Sequence, residues 1–268
     1  MPARQNIGAR TPVRANPTGY GSRVTLLVEW SDTVCSIRID RPHKRNAVDL
    51  ATLTAMRMAL NEAHEGAARV LVLSGAPPAF CSGADLTGVE LGEFTDTLLA
   101  VLRGFGALGC ITIAAVDGAA LGAGSQLAAA CDLRIATPDS RFGVPAAKLG
   151  LAVDTWTVAR LEKEAGASIA RRMLLTGESM TANELVGGFV HRLGSFDDAM
   201  AWAHELTALA PLTVKAHKLA LESLFEASLT VQSPDVVEAA RLRAWASRDA
   251  DEGRNAFLEK RTPRFTGE

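Results

Sequence analysis

An α/β fold is the class this sequence predicts, and three features point to it. Apolar runs of strand length alternate with amphipathic stretches of helix length through the first two thirds, at intervals of about 40 residues. One of those runs, Arg69 to Ser74, has an unbroken apolar centre from Val70 to Leu73, as a strand covered on both faces of a parallel sheet would. The last third carries helical patterning alone, and the change falls near residue 205. The expected organisation is therefore an arm over residues 1–23, a mixed core over 24–205 and a helical region over 206–268.

The arm holds Arg4, Arg10, Arg14 and Arg23 with no acidic residue, and Pro2, Pro12 and Pro17 punctuate it. It reads as disordered; a transit peptide is the other reading, but its helical amphipathicity is poor. Val24 to Trp30 and Thr33 to Asp40 read as a hairpin of two strands turning at Ser31-Asp32. Asp49 suits the N-cap of a helix running to Glu65, with Leu50, Leu53, Met56 and Leu60 at helical spacing and Gly66 as its stop. Phe94 to Leu108 is a second apolar-striped helix, and Ile111 to Val116 and Leu133 to Thr137 are further strands. Arg160 to Thr176 reads as one helix, and Thr181 with Glu184 forms a capping box for a short one. Helices over Ala199 to Ala210 and Thr213 to Ala227 follow, with a final helical stretch from Asp235 to Glu259 broken near Gly253.

Composition excludes several function classes. The chain of 268 residues is 48% hydrophobic and 22% charged, enough for one large core. A net charge of −2 gives no electrostatic reason to expect nucleic acid or an anionic membrane as partner. No apolar run is long enough to cross a membrane. Cys35, Cys81, Cys110 and Cys131 lie far apart in apolar surroundings, which fits reduced buried thiols and a cytoplasmic location. No cluster has metal-ligand spacing, so no metal is expected.

The chemistry is concentrated between Val116 and Val144. A strand turns at Asp117-Gly118, passes Gly122-Ala123-Gly124 and enters a short apolar helix at about Ser125. Small residues let a ligand approach the backbone. Unbonded N–H groups in the first helical turn favour negative charge on oxygen. A second glycine-bearing loop, Gly75 to Leu86, also follows a strand.

Four segments together resemble the crotonase superfamily, that is, the enoyl-CoA hydratase/isomerase family: Arg41 to Ala47, Ala79 to Leu86, Gly118 to Asp132, and Gly253 to Gly267. The resemblance covers about residues 24 to 267. It implies a right-handed spiral of ββα turns and a C-terminal helical part that trimerises, often into a dimer of trimers. It also implies an acyl-coenzyme A thioester as ligand, so that coenzyme A arrives as part of the substrate. In this family two backbone N–H groups hold the thioester carbonyl and stabilise its enolate. The match assigns these to Ala84, in Ser82-Gly83-Ala84-Asp85, and to Ala123, in Leu121-Gly122-Ala123-Gly124. Ala79, Cys81, Gly83, Asp85, Leu86 and Gly122 belong to the same two binding loops. Lys44 and Ala47 match the loop near the nucleotide, and Phe257 and Lys260 match a helix that contacts pantetheine and phosphate. Arg41 and Arg45 are expected to be solvated.

The chain departs from the family's hydratases at two places. Their two glutamates deliver water across a double bond; the matching positions here are Gln126 and Ala146. Neither residue exchanges a proton at neutral pH, and each lost acid–base group costs about 10²–10⁴-fold. Efficient hydration is therefore not expected. Asp154, in Gly150 to Trp156, stands where some isomerases of the family place a proton-shuttling acid, and it is also a suitable N-cap. Trp156 is expected to line or narrow the acyl pocket. Gln126 with the stretch Gly150 to Trp156 further resembles a mycobacterial branch regarded as binding long acyl-CoA without hydratase activity.

Two functions fit these residues. One is an isomerase-like enzyme of lipid metabolism with Asp154 as base. The other is a non-catalytic carrier of long-chain acyl-CoA. RNA binding and a serine protease of related spiral fold are disfavoured, the first by charge and the second because no Ser–His pair falls in the pocket segments. The stretch Gly88 to Phe94 gives no reading of acyl-chain length.

Overall fold

The computed structural model describes residues 25–87, 92–229 and 234–268. The expected arm over 1–23, and most of the stretch from Gly88 to Phe94, lie outside these residues. The chain opens with the hairpin read from the sequence, β1 (Leu26–Ser31) paired antiparallel to β2 (Val34–Ile39), turning at Asp32 in a left-handed conformation. Then come α1 (Leu50–Glu65), β3 (Val70–Gly75), α2 (Glu93–Ala107), β4 (Ile111–Val116), β5 (Ala119–Leu121), α3 (Ala123–Ala130), β6 (Leu133–Ala136) and β7 (Arg141–Gly143). After these come α4 (Thr155–Ala165), α5 (Ala167–Thr176), β8 (Ser179–Thr181), α6 (Ala182–Leu185) and β9 (Arg192–Leu193). The chain closes with α7 (Phe196–Leu206), α8 (Pro211–Ser228), α9 (Pro234–Trp245) and α10 (Arg248–Glu259).

One sheet of six strands runs β1-β2-β3-β4-β6-β9, parallel beyond the first pair. A second layer holds β5-β7-β8 and is continued by parallel bridges Cys81 to Ala120 and Val48 to Ala84. Each turn of the chain thus supplies a long strand, a short pairing segment and a helix. Val48 and α1 complete the turn of β2, Cys81 and α2 that of β3, β5 and α3 that of β4, and β7 and α4 that of β6. This is the ββα spiral. The large sheet is covered on both faces, which explains its uninterrupted apolar strands. One face joins a core that includes Met56, Phe80, Phe105 and Leu127. The other packs Val34, Val70, Val72 and Ile113 against Ala199, Trp202 and Ala203 of α7.

Local signals held where they were local. Asp49 caps α1 by accepting from the Thr52 amide at 2.8 Å, and Thr181 and Glu184 form the expected reciprocal cap of α6. Three expectations are corrected. The segment 160–176 is two helices, because Gly166 takes φ +82° and ends the first. The helix after Gly122 begins at Ala123, two residues earlier than expected. Gly253 does not interrupt the last helical stretch; the break falls at Ala246-Ser247, where Ser247 caps α10. Gly253 sits inside α10 because the helix lies directly on the main chain at Leu149, where a Cβ would come within 2.5 Å of the carbonyl carbon.

The boundary near 205 falls in the last turn of α7, which packs on the sheet. The following helix, α8, leaves Leu212, Leu219, Leu221 and Leu224 exposed. Among the described residues no helix is long and apolar enough to cross a membrane.

Gly253→Ala is expected to cost about 1–3 kcal/mol through overpacking between α10 and the Leu149 main chain. A urea titration reads this as a lowered midpoint; an unchanged midpoint would show that the contact yields freely.

Candidate functional site

Two pieces of backbone meet to form the site. Cys81 pairs with β5: its amide donates to the Ala119 carbonyl at 2.9 Å, and the Leu121 amide donates to the Cys81 carbonyl at 2.9 Å. Gly124 permits this approach, because a Cβ there would strike the Cys81 carbonyl. Gly83 and Gly122 then lie against each other, a Cβ on Gly122 falling 3.7 Å from the Gly83 Cα. Both take positive φ, +119° and +53°, a region open to glycine and strained for other residues.

The residues after these glycines are Ala84 and Ala123. Opposite Ala84, the Val48 amide donates to the Gly83 carbonyl and the Asp85 amide to the Val48 carbonyl. A parallel bridge of this kind leaves Ala84's own N–H unused. Ala123 is the first residue of α3, so its N–H has no intrahelical partner. Neither amide finds an acceptor among the described residues. Ser125 fastens the turn, donating to the Ala120 carbonyl at 2.6 Å and accepting from the Gly143 amide at 2.9 Å. The far end of α3 is held by the buried Arg134, which donates to the carbonyls of Ala128 and Cys131.

Ala84 and Ala123 open onto a cavity of about 260 Å³. Its walls include Leu86, Leu98, Leu99, Val144 and Leu151, so it is mainly apolar. Gly83, Gly122, Gln126, Ala146, Asp154 and Phe257 line it too. Asp154 is the expected N-cap, and it also reaches the cavity. It caps α4, its carboxylate accepting from the Thr157 amide and hydroxyl at 3.0 Å each, and it forms part of the cavity wall. None of the five histidines lines the cavity, and no group among the described residues is arranged to hold a metal ion.

Several expected residues are placed elsewhere. Trp156 does not line the cavity: it is buried edge-on against Phe225 at 5.7 Å, with Arg160 over its ring. Lys44, Ala47, Ala79, Cys81, Asp85 and Lys260 also lie outside the wall. Ala79 is buried, and its carbonyl accepts from the Asn46 side chain at 2.5 Å. Asp85 is nearly buried and pairs with Arg41 at 3.3 Å and Lys44 at 3.4 Å. Burial works to raise its carboxyl, but hydrogen bonds from Thr87 and the charge of Lys44 hold it below the usual carboxylate range. Arg41 is not solvated. It is buried, donates to the Ala47 carbonyl and pairs with Asp49 at 2.7 Å, locking the loop before α1. Arg45 is exposed, as expected. Lys260 ends α10 in a left-handed conformation and is exposed.

Among the wall residues without a signal in the sequence are Asp96 of α2, and Arg241 and Trp245 of α9. Their neighbours in sequence are ordinary helix residues, and only the packing of α2 and α9 around the cavity brings them in. Trp245 donates to the Ala152 carbonyl at 2.7 Å. Arg241 makes a two-point contact with Glu238, at 2.9 and 2.6 Å. Those bonds hold its guanidinium above the ordinary value despite burial, and the charges of Glu238, Asp154 and Asp96 add to this.

Burial pushes the Cys81 thiol up to about 12, with Cys35 and Cys131 also at about 12 and Cys110 at about 11. At pH 8 the native protein is expected to resist thiol reagents, since the thiolate is the reactive form. Rapid labelling of any cysteine before denaturant is added would contradict the burial.

Comparison with known proteins gives a consistent result. The model of the family described as "Enoyl-CoA hydratase/isomerase" matches residues 29–268. The "Probable enoyl-CoA hydratase echA6" of Mycobacterium tuberculosis is 38% identical over 242 residues, covering 90% of this chain and 98% of the relative. The crystal structure of methylmalonyl-CoA decarboxylase superposes with a TM-score of 0.84 at 26% identity, covering 92% of this chain and 100% of its own. Carnitinyl-CoA hydratase from Mycobacterium avium superposes with a TM-score of 0.79 at 33% identity, with the same coverage. On the fold, the spacing of the two glycine loops and the family match, this chain belongs to the enoyl-CoA hydratase/isomerase family of the crotonase superfamily.

Proposed function

We propose that this protein binds an acyl-coenzyme A thioester and holds its carbonyl oxygen on the N–H groups of Ala84 and Ala123. The observation that carries this reading is the pair of unpartnered amides, each following a glycine of positive φ, at the wall of an apolar cavity. Main-chain donors fixed before the reaction stabilise an oxyanion without rearranging as charge develops. Coenzyme A is then part of the ligand, and no further cofactor is needed.

The activity we assign is isomerase-like, in lipid metabolism. Asp154 removes a proton from the α carbon of an enoyl thioester, the electron pair moves onto the carbonyl oxygen between the two amides, and the proton returns at the γ carbon. This moves the double bond and needs no water. Hydration is disfavoured because Gln126 and Ala146, which match the hydratase glutamates, both line the cavity without a carboxyl group. One observation supports the second reading, a carrier that binds acyl-CoA without turning it over: both Asp154 oxygens already accept bonds from Thr157.

Asp154→Asn separates the two. Asparagine caps a helix about as well as aspartate, so stability should hold while isomerisation of a 3-enoyl-CoA falls about 10²–10⁴-fold. An unchanged rate would remove Asp154 as the base. Absence of turnover in the wild type, with tight binding of saturated acyl-CoA, would establish the carrier.

We also propose that the exposed leucines of α8 join copies of this chain into a trimer, or a dimer of trimers. Leu212→Asp with Leu224→Asp is expected to give a monomer in sedimentation; an unchanged mass would exclude α8 as the contact.

A further inference from the structure

Arg241 is the one basic residue among the described residues that line the cavity. Its side chain is 16% exposed, in a wall that is otherwise mainly apolar. A guanidinium carries five N–H donors in one plane. Glu238, one turn back on α9, takes donors from Nε and Nη2 alone. This side-on pair fixes the plane and leaves the opposite edge, where Nη1 makes no hydrogen bond to a described residue. Glu238 is half exposed and does not line the cavity, so the pairing uses the outward edge. A cation already oriented by one partner gives up little freedom when a second arrives.

The setting of Arg241 says which part of a ligand it meets and what that part must be. Trp245 lies one turn further along α9 on the same face, and its bond to the Ala152 carbonyl seats the helix two residues before Asp154. A chain with its carbonyl on Ala84 and Ala123 and its α and γ carbons at Asp154 continues past Arg241 with its later carbons. The charge of Arg241 is balanced by Glu238. The wall also holds the carboxylates of Asp96 and Asp154, whose charges act on the guanidinium although neither forms an ion pair with it. Another carboxylate would add negative charge to a wall that already has two against one. A hydroxyl adds none: it accepts from Nη1 and keeps a proton to give to a carboxylate.

We infer that Arg241 is a specificity-determining residue that selects acyl thioesters whose tail, beyond the carbons at Asp154, carries a hydroxyl. The rest of the tail packs on apolar wall residues such as Leu98, Leu99 and Leu151. This rests on the acyl-thioester reading above and deepens it. That reading describes how the thioester end is held; this one names the polar group at the other end of the acyl chain.

Calorimetry on the full chain tests it with pairs of thioesters from six to twelve carbons, each ω-hydroxyacyl-CoA against the plain acyl-CoA of the same length. At the length that reaches Arg241, the hydroxylated member should bind about 3–10-fold more tightly, the effect of one hydrogen bond. Arg241→Met keeps an unbranched stem and removes the donors. It should reverse the order of that pair, because a hydroxyl without a partner is costly among apolar groups. Arg241→Leu serves the same purpose if the methionine variant does not fold. An advantage at no length in the wild type, as when water satisfies Nη1, overturns this inference and leaves the acyl-thioester reading standing. So does an advantage that survives in the variant. Equal weakening of both members of every pair would place Arg241 on the coenzyme A portion and overturn it as well. Tighter binding of decanedioyl-CoA than of ω-hydroxydecanoyl-CoA would overturn the choice of a neutral group. If no thioester binds, both readings fall.

Discussion

The site depends on two lengths of main chain lying against each other with no side chain between them. Residues 81–84 and 119–124 are joined by amide-to-carbonyl bonds on either side of Cys81, and the missing side chain of Gly124 sets how near they come. Ser125 ties a third length, at Gly143, to the same turn. The chemistry offered to a ligand is therefore mostly backbone. Side chains serve to hold that backbone in place, as Arg134 does at the far end of α3 and Arg41 does before α1.

Two helix N-termini converge on the cavity, α3 at Ala123 and α4 at Asp154. Each carries a partial positive charge of the helix dipole. One is matched by the Asp154 carboxylate, whose two oxygens close on Thr157. The first turn of the other holds no acidic residue beside the Ala123 amide. A neutral ligand that becomes negative on oxygen meets the environment this asymmetry creates.

Much of the fold was legible in the sequence, because its signals act over a few residues. Caps at Asp49 and Thr181, the hairpin at Asp32, and the apolar stripes of α1 and α2 need no distant information. The second layer of the spiral was not legible: β5, β7 and β8 are three residues each, too short for alternation to show. Glycines were misread where their role depends on what presses against them. Gly166 ends a helix through its own φ, whereas Gly253 continues one because another main chain lies on it. Trp156 was misplaced for a geometric reason. It stands two residues from Asp154, and side chains two apart on a helix do not share a face. In the candidate site, the two glycine loops, Gln126 and Ala146 were readable as a pattern, while Asp96, Arg241 and Trp245 were not, since only tertiary folding brings α2 and α9 there.

The placement of α9 divides the cavity by sequence. The two free amides come from the spiral, between residues 83 and 126, and another part of the wall comes from Arg241 and Trp245 of α9 and Phe257 of α10. Exchanging a few turns near the carboxyl terminus therefore changes the length or polarity of the cavity and leaves those amides untouched. A spiral and an adjustable door, encoded apart, let one scaffold present many cavity shapes.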